Sequence, residues 1–417
     1  MNQSNQTISA REAAELLGVK LATLYAYVSR GLLSSSPGER GRERRYPRAD
    51  VESLRSRRRA AAAGALRWGE PVLDTSISAM TPQGPRYRGR LATELAEAGT
   101  PFESVAELLW RGELPEERPL WPLPPPLDVD QLSSLVPRGA PLSGWSQVLV
   151  AVLGAADPGR FDTRPEAVLP RARGLIRALA AASALPFDPV RAEAASAEAT
   201  VAGSVAVALG VPPRPGALAA IDRALVLLAD HELNASTFAA RVVASTRADV
   251  YAAVLAGLST LSGPLHGAAS DRVEALLAEI PSPEDAASVI HERDRMGERV
   301  PGFGHPYYPD GDPRAPLLID AAFEVGLREP MLRRLGALAD AMEAAGRPPP
   351  NVDVGIVALS AALRMPRGAA SGLFAVARCA GWVAHVLEQY QAGFLMRPRA
   401  RYTPADGEGS PSEGESP

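Results

Sequence analysis

The sequence predicts an all-α protein that begins with a small separate domain. Apolar residues recur at helical spacing from about Leu91 to Gly393, and this region shows almost none of the alternation typical of strands. The first sixty residues differ from it in charge and in pattern. The 417 residues are 46% hydrophobic and 22% charged, with a net charge of -4, which is typical of a globular protein with a large core and argues against a disordered or membrane protein.

The single cysteine, Cys379, can form neither an internal disulfide nor, by itself, a metal site. This favours a reducing, intracellular compartment. The polar start MNQSNQTISA lacks the apolar region of a signal peptide. Apolar stretches such as VLVAVLGAA fall short of the roughly 18 residues that a membrane span needs. We therefore expect a cytoplasmic protein that does not enter a membrane.

The N-terminal sixty residues carry two short helical patterns and a basic block. In SAREAAELLGVKLATLYAYVSRGLL, apolar residues at helical spacing end at Gly18, and a second pattern runs from Leu21 to Ser29. Two short helices joined by a glycine-containing turn are typical of a helix-turn-helix. From Arg40 to Arg59 there are nine arginines and three acids. A basic run alone is also typical of a solvated surface, but the two features together favour DNA binding.

This stretch resembles the MerR-like and excisionase-like winged helix-turn-helix families in AAELLGVKLATLYAYVSRGLL and RRYPRADVE. The resemblance implies a DNA-binding domain over residues 1–60, with a helix that enters a DNA groove and a wing beside it. The residues on or beside that helix would be Lys20, Thr23, Tyr25, Tyr27 and Arg30. The wing would be formed by Arg42, Arg44 and Arg45. An alternative is that this domain mediates protein contacts only.

The composition of four further segments predicts a linker, a β-prone patch, a surface connection and a disordered tail. RRRAAAAGALR follows the basic block as a linker or a helical exit, and the short β-prone patch PVLDTSIS precedes the helical region. Consecutive prolines cannot continue a helix, so WPLPPPLDVD is predicted to be a surface connection. The acidic tail over residues 404–417 is rich in Gly, Ser and Pro and is predicted to be disordered.

Three of the five histidines, His231, His266 and His305, occupy unusual surroundings. His231 ends an apolar helical run, and His305 lies in PGFGHPYYPDGDPRA, which is predicted to be an exposed loop. His266 lies in SGPLHG. If a helix begins near Pro264, its dipole disfavours an imidazolium, so His266 would be neutral and could donate an N–H beside a carbonyl, as enolisation requires.

A carboxylate and several arginines complete a candidate set. Asp353 precedes an apolar run in RPPPNVDVGIVAL, and burial against it would raise the pKa of this carboxyl and make it a better base. Arginines recur in loop or helix-end contexts at Arg314, Arg378 and Arg397. Guanidinium groups bind carboxylates bidentately, so several around one pocket indicate a di- or tricarboxylate ligand. Any one of these residues alone is more often structural, and only the set favours function.

The successive signatures of citrate synthases resemble six segments of this chain, in the same order: DHELNASTFAARVVAST, GPLHGAASD, PGFGHPYYPDGDPRA, PPNVDVG, ARCAGWVAHVLEQ and RPRARY. Earlier segments such as DTSIS and FESVAELLWRGELP are similar to the start of that family. The likeness covers roughly Gly69 to Thr403. It implies the citrate synthase fold, an almost wholly helical homodimer whose small domain closes over the substrates. The body would span residues 61–403, with a large domain over 61–265 and 371–403 and a small domain over 266–370.

The resemblance also implies roles. Asp353 would remove a proton from the methyl group of acetyl-CoA, His266 would hydrogen-bond the thioester oxygen, and His305 would bind and protonate the oxaloacetate carbonyl. The oxaloacetate carboxylates would be held by His231, Arg314, Arg378 and, from the partner subunit, Arg397. Citrate and CoA would be the products, and neither a metal nor a prosthetic group is required.

Two segments depart from the family pattern. GAASD, from Gly267 to Asp271, replaces the common GGANE, and GHPYY replaces the common GHRVY, with Pro306 in place of a basic residue. These changes leave the acyl-CoA preference open. A 2-methylcitrate synthase that uses propionyl-CoA is one alternative. A transcription regulator whose weakly active or inactive synthase body senses a metabolite is the other.

Overall fold

The computed structural model describes residues 7–17, 19–29, 33–37, 44–48, 50–51, 73–137, 139–267, 269–326 and 329–399. Arg30, Arg42 and the predicted disordered tail lie outside them. The chain divides into two compact units, Met1–Asp74 and Thr75–Pro417. The predicted division of the body into a large and a small domain stays a prediction.

The first unit combines two helices with a three-stranded antiparallel sheet. The helices are α1 (Ala10–Leu17) and α2 (Leu21–Ser29), as the sequence predicts. The strands are β1 (Thr7–Ser9), β2 (Ser36–Pro37) and β3 (Arg44–Pro47), with β3 between the other two. A buried apolar cluster joins helices and sheet: Ile8, Ala13, Ala14, Leu17, Leu24, Leu33, Tyr46 and Val51. This unit therefore has a core of its own.

Local hydrogen bonds explain where α1 begins. The Ser9 hydroxyl oxygen accepts from the Glu12 backbone N–H at 3.3 Å, and Glu12 Oε2 accepts from the Ser9 N–H at 2.8 Å. This reciprocal capping box satisfies N–H groups that a helix start leaves without partners.

The second unit is helical apart from one small sheet in its described part. Its strands form an antiparallel sheet in the order β4 (Ser78–Thr81), β5 (Gly84–Tyr87) and β6 (Arg90–Leu91). Its helices are α3 (Ala92–Glu97), α4 (Phe102–Arg111), α5 (Val129–Leu135), α6 (Leu142–Ala156), α7 (Pro165–Ala182), α8 (Arg191–Ala197), α9 (Val201–Ala208), α10 (Pro215–Leu228), α11 (Ala235–Ser245), α12 (Val250–Leu261), α13 (Ala269–Glu279), α14 (Ala286–Met296), α15 (Arg314–Gly326), α16 (Pro330–Ala344), α17 (Val352–Ala362) and α18 (Ala369–Ala392). A short 3₁₀ helix, Pro283–Asp285, precedes α14.

The helix α18 runs through the core of this unit. Among the described residues it is the one helix long and apolar enough to cross a membrane, and 94% of its most apolar window is buried inside the protein. Gly257 on α12 allows its close packing, because a Cβ there would lie 2.8 Å from the Trp382 ring. A Cβ at Gly381 would collide with Asp230 in the same way. Small residues at these crossings let α18 approach its neighbours closely.

Candidate active site

Side chains from five segments of the second unit converge on one place. They are carried by the turn after α10, the turn after α12, the loop before α15, the start of α17 and the middle of α18. The rings of His231 and His305 lie 5.2 Å apart between centroids. After burial, the groups whose electrostatic interactions lower the pKa of His231 are Arg314, Arg378, His305 and His266. Residues separated by more than a hundred positions thus share one electrostatic environment.

His231 stands in the turn between α10 and α11. Asn234 fixes this turn because its Oδ1 accepts from the Thr237 N–H at 3.0 Å and so caps α11. Burial, with the neighbouring cations, lowers the pKa of His231 well below its ordinary value. Its Nε2 is buried and has no hydrogen-bond partner among the described residues. A neutral ring with an unsatisfied buried nitrogen is suited to contact a ligand.

His305 lies in the irregular loop that the sequence predicts. The loop is less exposed than expected, because Tyr308 and Asp312 point inward and are buried. His305 Nδ1 accepts from the Tyr307 N–H at 3.2 Å, which places the proton of the neutral ring on Nε2. Burial and the charge of Arg314 lower the pKa of His305 to about 4. At neutral pH its Nε2–H is therefore an uncharged donor.

His266 is neutral because it is buried beside a cation. The expected helix near Pro264 is wrong, since α13 begins at Ala269 and His266 lies in the turn before it. The pKa of His266 is instead lowered to about 4 by burial and by the charge of Arg378. At neutral pH His266 is therefore uncharged, as the sequence predicts.

Ser236 and Trp382 fix the ring of His266. His266 Nε2 lies 2.9 Å from Ser236 Oγ, which also accepts from Trp382 Nε1–H at 3.2 Å. The single Ser236 proton can be donated to Asn234 Oδ1, 2.7 Å away, or to His266 Nε2. In the second arrangement His266 carries its own proton on Nδ1, which is the tautomer that can donate to a ligand.

Asp353 is the second residue of α17, and Asn351 caps that helix. The Asp353 backbone N–H donates to Asn351 Oδ1 at 2.9 Å, and the Asp353 side-chain Oδ1 accepts from the Ser270 hydroxyl at 2.8 Å. Burial raises the pKa of the carboxyl above its ordinary value, while Ser270 and Arg314 oppose the shift. The predicted direction is confirmed, and a stronger base than an exposed aspartate results.

Arg314 is the first residue of α15 and is only 2% exposed. It forms a bidentate pair with Asp312, in which Nε donates to Oδ1 at 2.9 Å and Nη2 donates to Oδ2 at 2.8 Å. Asp312 Oδ2 also accepts from the Val352 N–H at 3.1 Å. One buried carboxylate therefore orients the guanidinium and ties it to the start of α17, beside Asp353.

Arg378 lies in the middle of α18, so the expected loop or helix-end setting is wrong for it. The side chain is 2% exposed, and its Nε donates to the Leu228 carbonyl at 2.8 Å. The guanidinium carbon lies 4.7 Å from the centroid of the Phe374 ring. Burial lowers the pKa of Arg378 to about 10, with Asp230 opposing the shift, so it stays charged at neutral pH.

The other predicted residues lie elsewhere. Arg397 is exposed in the segment that follows α18, and its predicted role in a partner subunit stays a prediction. In the first unit, Lys20 and Tyr25 are exposed, whereas Thr23 and Tyr27 are half-buried. The predicted wing residues Arg44 and Arg45 lie on β3, with Arg44 exposed and its Nη1 donating to Ser35 Oγ at 2.8 Å.

The sequence interpretation did not identify four residues that shape the site: Ser236, Ser270, Tyr308 and Asp312. Asp312 had a local signal, since it stands two residues before Arg314 in GDPRA. Ser236 and Ser270 had none, because their partners lie 30 and 83 positions away. In the described part of the chain, no group of three or more His, Cys, Asp and Glu side chains is arranged to hold a metal.

Both units are similar to known protein families. The family described as citrate synthase, C-terminal domain, matches residues 65–399, and a helix-turn-helix domain family matches residues 7–59. Citrate synthase 2 of Bacillus subtilis is 31% identical over 366 residues, which cover 81% of this chain and 95% of the relative. The 2-methylcitrate synthase of Mycobacterium tuberculosis is 32% identical over 353 residues, covering 80% and 88%.

Solved structures resemble the same part of the chain. Citrate synthase from Thermotoga maritima gives a TM-score of 0.68 at 27% identity, covering 84% of this chain and 98% of that one. Citrate synthase from Thermoplasma acidophilum, solved with carboxymethyl coenzyme A and oxaloacetate, gives a TM-score of 0.73 at 24% identity, with the same two coverages. These likenesses agree with the predicted all-α fold.

Proposed function

Because the chain belongs to the citrate synthase family and carries an N-terminal helix-turn-helix domain, we propose that it is a synthase that condenses an acyl-CoA with oxaloacetate. Acetyl-CoA is the proposed acyl donor, with citrate and free CoA as products. The observation that carries the proposal is the convergence of His266, His305 and Asp353, each with its pKa shifted in the direction that the chemistry needs.

The first step is removal of a proton from the carbon next to the thioester. This carbon acid is weak, so it needs a positioned base and stabilisation of the developing oxyanion. Asp353 acts as the base, and burial strengthens it. His266 donates from Nδ1 to the thioester oxygen. The charge of Arg378 lowers the pKa of His266, and the charge of Asp353 raises the pKa of Arg378. The two residues therefore lie near the same guanidinium, which supports their acting on one substrate.

The second step is attack of the enol on the ketone of oxaloacetate. His305 donates through Nε2–H to the ketone oxygen as negative charge develops there. The carboxylates of oxaloacetate bind to Arg314, Arg378 and His231, together with Arg397 of the partner subunit in a homodimer. Hydrolysis of the thioester then releases CoA. Neither a metal nor a prosthetic group takes part, and we place the reaction in the cytoplasm.

The acyl group is the part of the substrate that such a pocket discriminates least. One additional methylene changes binding by only about 1–3 kcal/mol in an apolar pocket. The relatives include proteins named citrate synthase and proteins named 2-methylcitrate synthase. Propionyl-CoA, which would give 2-methylcitrate, is therefore the alternative donor.

A thiol-release assay tests the enzyme proposal. We expect the full-length protein to release CoA from acetyl-CoA only when oxaloacetate is present, and a series with propionyl-CoA measures the preference. In Asp353→Asn the base is lost, so the rate falls by about 10²- to 10⁴-fold. The matched control is Asp340→Asn on the exposed side of α16, which keeps the wild-type rate. Absence of CoA release with either donor would refute the proposal.

We also propose that the N-terminal unit binds DNA, which makes a metabolite-responsive regulator the second candidate function. The helix-turn-helix match and the exposed Lys20, Tyr25 and Arg44 favour it. A homodimeric body would present two such units to a palindromic site. Fluorescence anisotropy with upstream DNA, in the presence and absence of oxaloacetate or CoA, tests the regulator. DNA affinity that neither ligand changes would exclude the sensing role.

A further inference from the structure

Tyr308 is a buried residue of the candidate site that has no assigned role. It lies in the loop before α15, three residues after His305, and its side chain is 2% exposed. Its hydroxyl oxygen is buried and has no hydrogen-bond partner among the described residues. A buried hydroxyl without a partner costs free energy that a phenylalanine would not, so this atom is not explained by folding.

The surroundings of the Tyr308 ring are those of a ligand site. Its centroid lies 4.9 Å from that of His305 and 6.1 Å from that of His231. The guanidinium carbon of Arg314 lies 5.9 Å from the same ring. His231 Nε2 is a second buried polar atom without a partner in the described part of the chain. Two buried polar atoms without partners in the described residues therefore belong to neighbouring rings, one of which lies beside the Arg314 guanidinium.

Tyr87 provides a contrast within the same region. It is also fully buried, but its hydroxyl lies 3.1 Å from both the Val226 and the Asp230 carbonyl oxygens. That hydroxyl is satisfied by the protein itself. The Tyr308 hydroxyl is not satisfied by any described residue, which leaves it available to a ligand.

We propose that Tyr308 is a substrate-binding residue whose hydroxyl donates a hydrogen bond to a carboxylate oxygen of the dicarboxylate held by Arg314. This inference rests on the proposed function, since it takes oxaloacetate as the ligand. Burial raises the pKa of the Tyr308 phenol, so the group keeps its proton at neutral pH. A neutral donor adds a directional bond beside Arg314 without adding a second charge.

Tyr308→Phe tests the inference in the full-length protein. Isothermal titration with oxaloacetate should give a dissociation constant about 10- to 100-fold larger than that of the wild type, the range expected for a lost hydrogen bond to a charged group. The KM for acyl-CoA should not change. The thermal midpoint of the ligand-free variant should equal or exceed that of the wild type, because an unsatisfied hydroxyl has been removed.

Tyr251→Phe is the matched control. The Tyr251 hydroxyl donates to Asp157 at 3.2 Å, so its loss should lower the thermal midpoint and leave oxaloacetate binding unchanged. Unchanged oxaloacetate binding in Tyr308→Phe, or weaker binding with a thermal midpoint lowered as in Tyr251→Phe, would overturn the inference alone. A wild-type protein that neither binds oxaloacetate nor releases CoA would overturn the proposed function together with it.

Discussion

At the scale of single residues, burial sets the charge of the groups that face the proposed substrates. The pKa values of His266 and His305 are each lowered to about 4, and the pKa of Asp353 is raised above its ordinary value. Above about pH 4 the two imidazoles are therefore neutral donors, and the Asp353 carboxylate is a stronger base than an exposed aspartate. This division of roles follows from desolvation, which disfavours the charged form of both kinds of group.

The pH dependence of kcat/KM should accordingly report a carboxyl group. Since Asp353 must be ionised, we expect activity to rise with pH through its raised pKa, while the two imidazoles already remain neutral above about pH 4. Profiles recorded at two temperatures identify the group. The enthalpy of ionisation of a carboxyl group is small, so the apparent pKa of the acidic limb should hardly change with temperature. His291→Gln, at an exposed position, should give the same profile. A limb that moves with temperature as an imidazole does would contradict the assignment.

The sequence predicted the charge states better than their causes. The motifs identified the three histidines and Asp353 because each stands in a distinctive local pattern. The expected helix start near Pro264 was wrong, since the helix begins at Ala269, three residues after His266, and burial and the charge of Arg378 lower the pKa of this histidine. Its contact with Ser236 could not be predicted, because the two residues meet only after α12 has folded back on α11.

At the scale of elements, the His305 loop is fastened to the start of α17. The Asn351 N–H donates to the Gly302 carbonyl at 2.8 Å, and its side-chain Nδ2 donates to the Gly304 carbonyl at 3.1 Å. Gly302 has a φ of 84°, and a Cβ there would lie 2.6 Å from side-chain atoms of both Val273 and Val354. Only glycine satisfies both conditions, so this residue couples the positions of His305 and Asp353.

Gly302→Ala should therefore disturb the loop. We expect a loss of about 1–3 kcal/mol in the free energy of unfolding, by analogy with overpacked cores, and a fall of about tenfold or more in the rate of CoA release. Denaturant titration and the thiol-release assay measure the two quantities. Gly336→Ala within α16, where a Cβ meets nothing within 4 Å, should instead stabilise by roughly 0.5–1 kcal/mol. Wild-type stability and activity in Gly302→Ala would contradict this account of the loop.

Element positions were predictable where the local signal was strong. The bounds of α2 agree with the helical pattern from Leu21 to Ser29. The loop around His305 was predicted from Gly, Pro and Asp, but the burial of Tyr308 and Asp312 was not. Turn-forming composition reports backbone conformation and not depth, and depth depends on which helices cover the loop.

At the scale of the whole molecule, a helix-turn-helix unit with a basic block precedes the body in a chain whose net charge is -4. DNA affinity of the full-length protein should fall steeply as salt rises, because phosphate contacts release counterions. Arg44→Ala should weaken binding and reduce the salt slope by about 1. Arg295→Ala, an exposed position on α14 of the body, is the control and should leave the slope unchanged. Binding that did not respond to salt would favour protein contacts over DNA.

The buried helix α18 and the exposed side chains of the His305 loop differ in how easily they can change over evolution. α18 is buried along most of its length, so one substitution there disturbs Arg378, Trp382 and their neighbours together. Exposed side chains beside His305 occupy four positions: Pro306, Tyr307, Pro309 and Asp310. Substitutions at these positions can accumulate one at a time without disturbing the interior. A directed-evolution library for new acyl donors is therefore best confined to them.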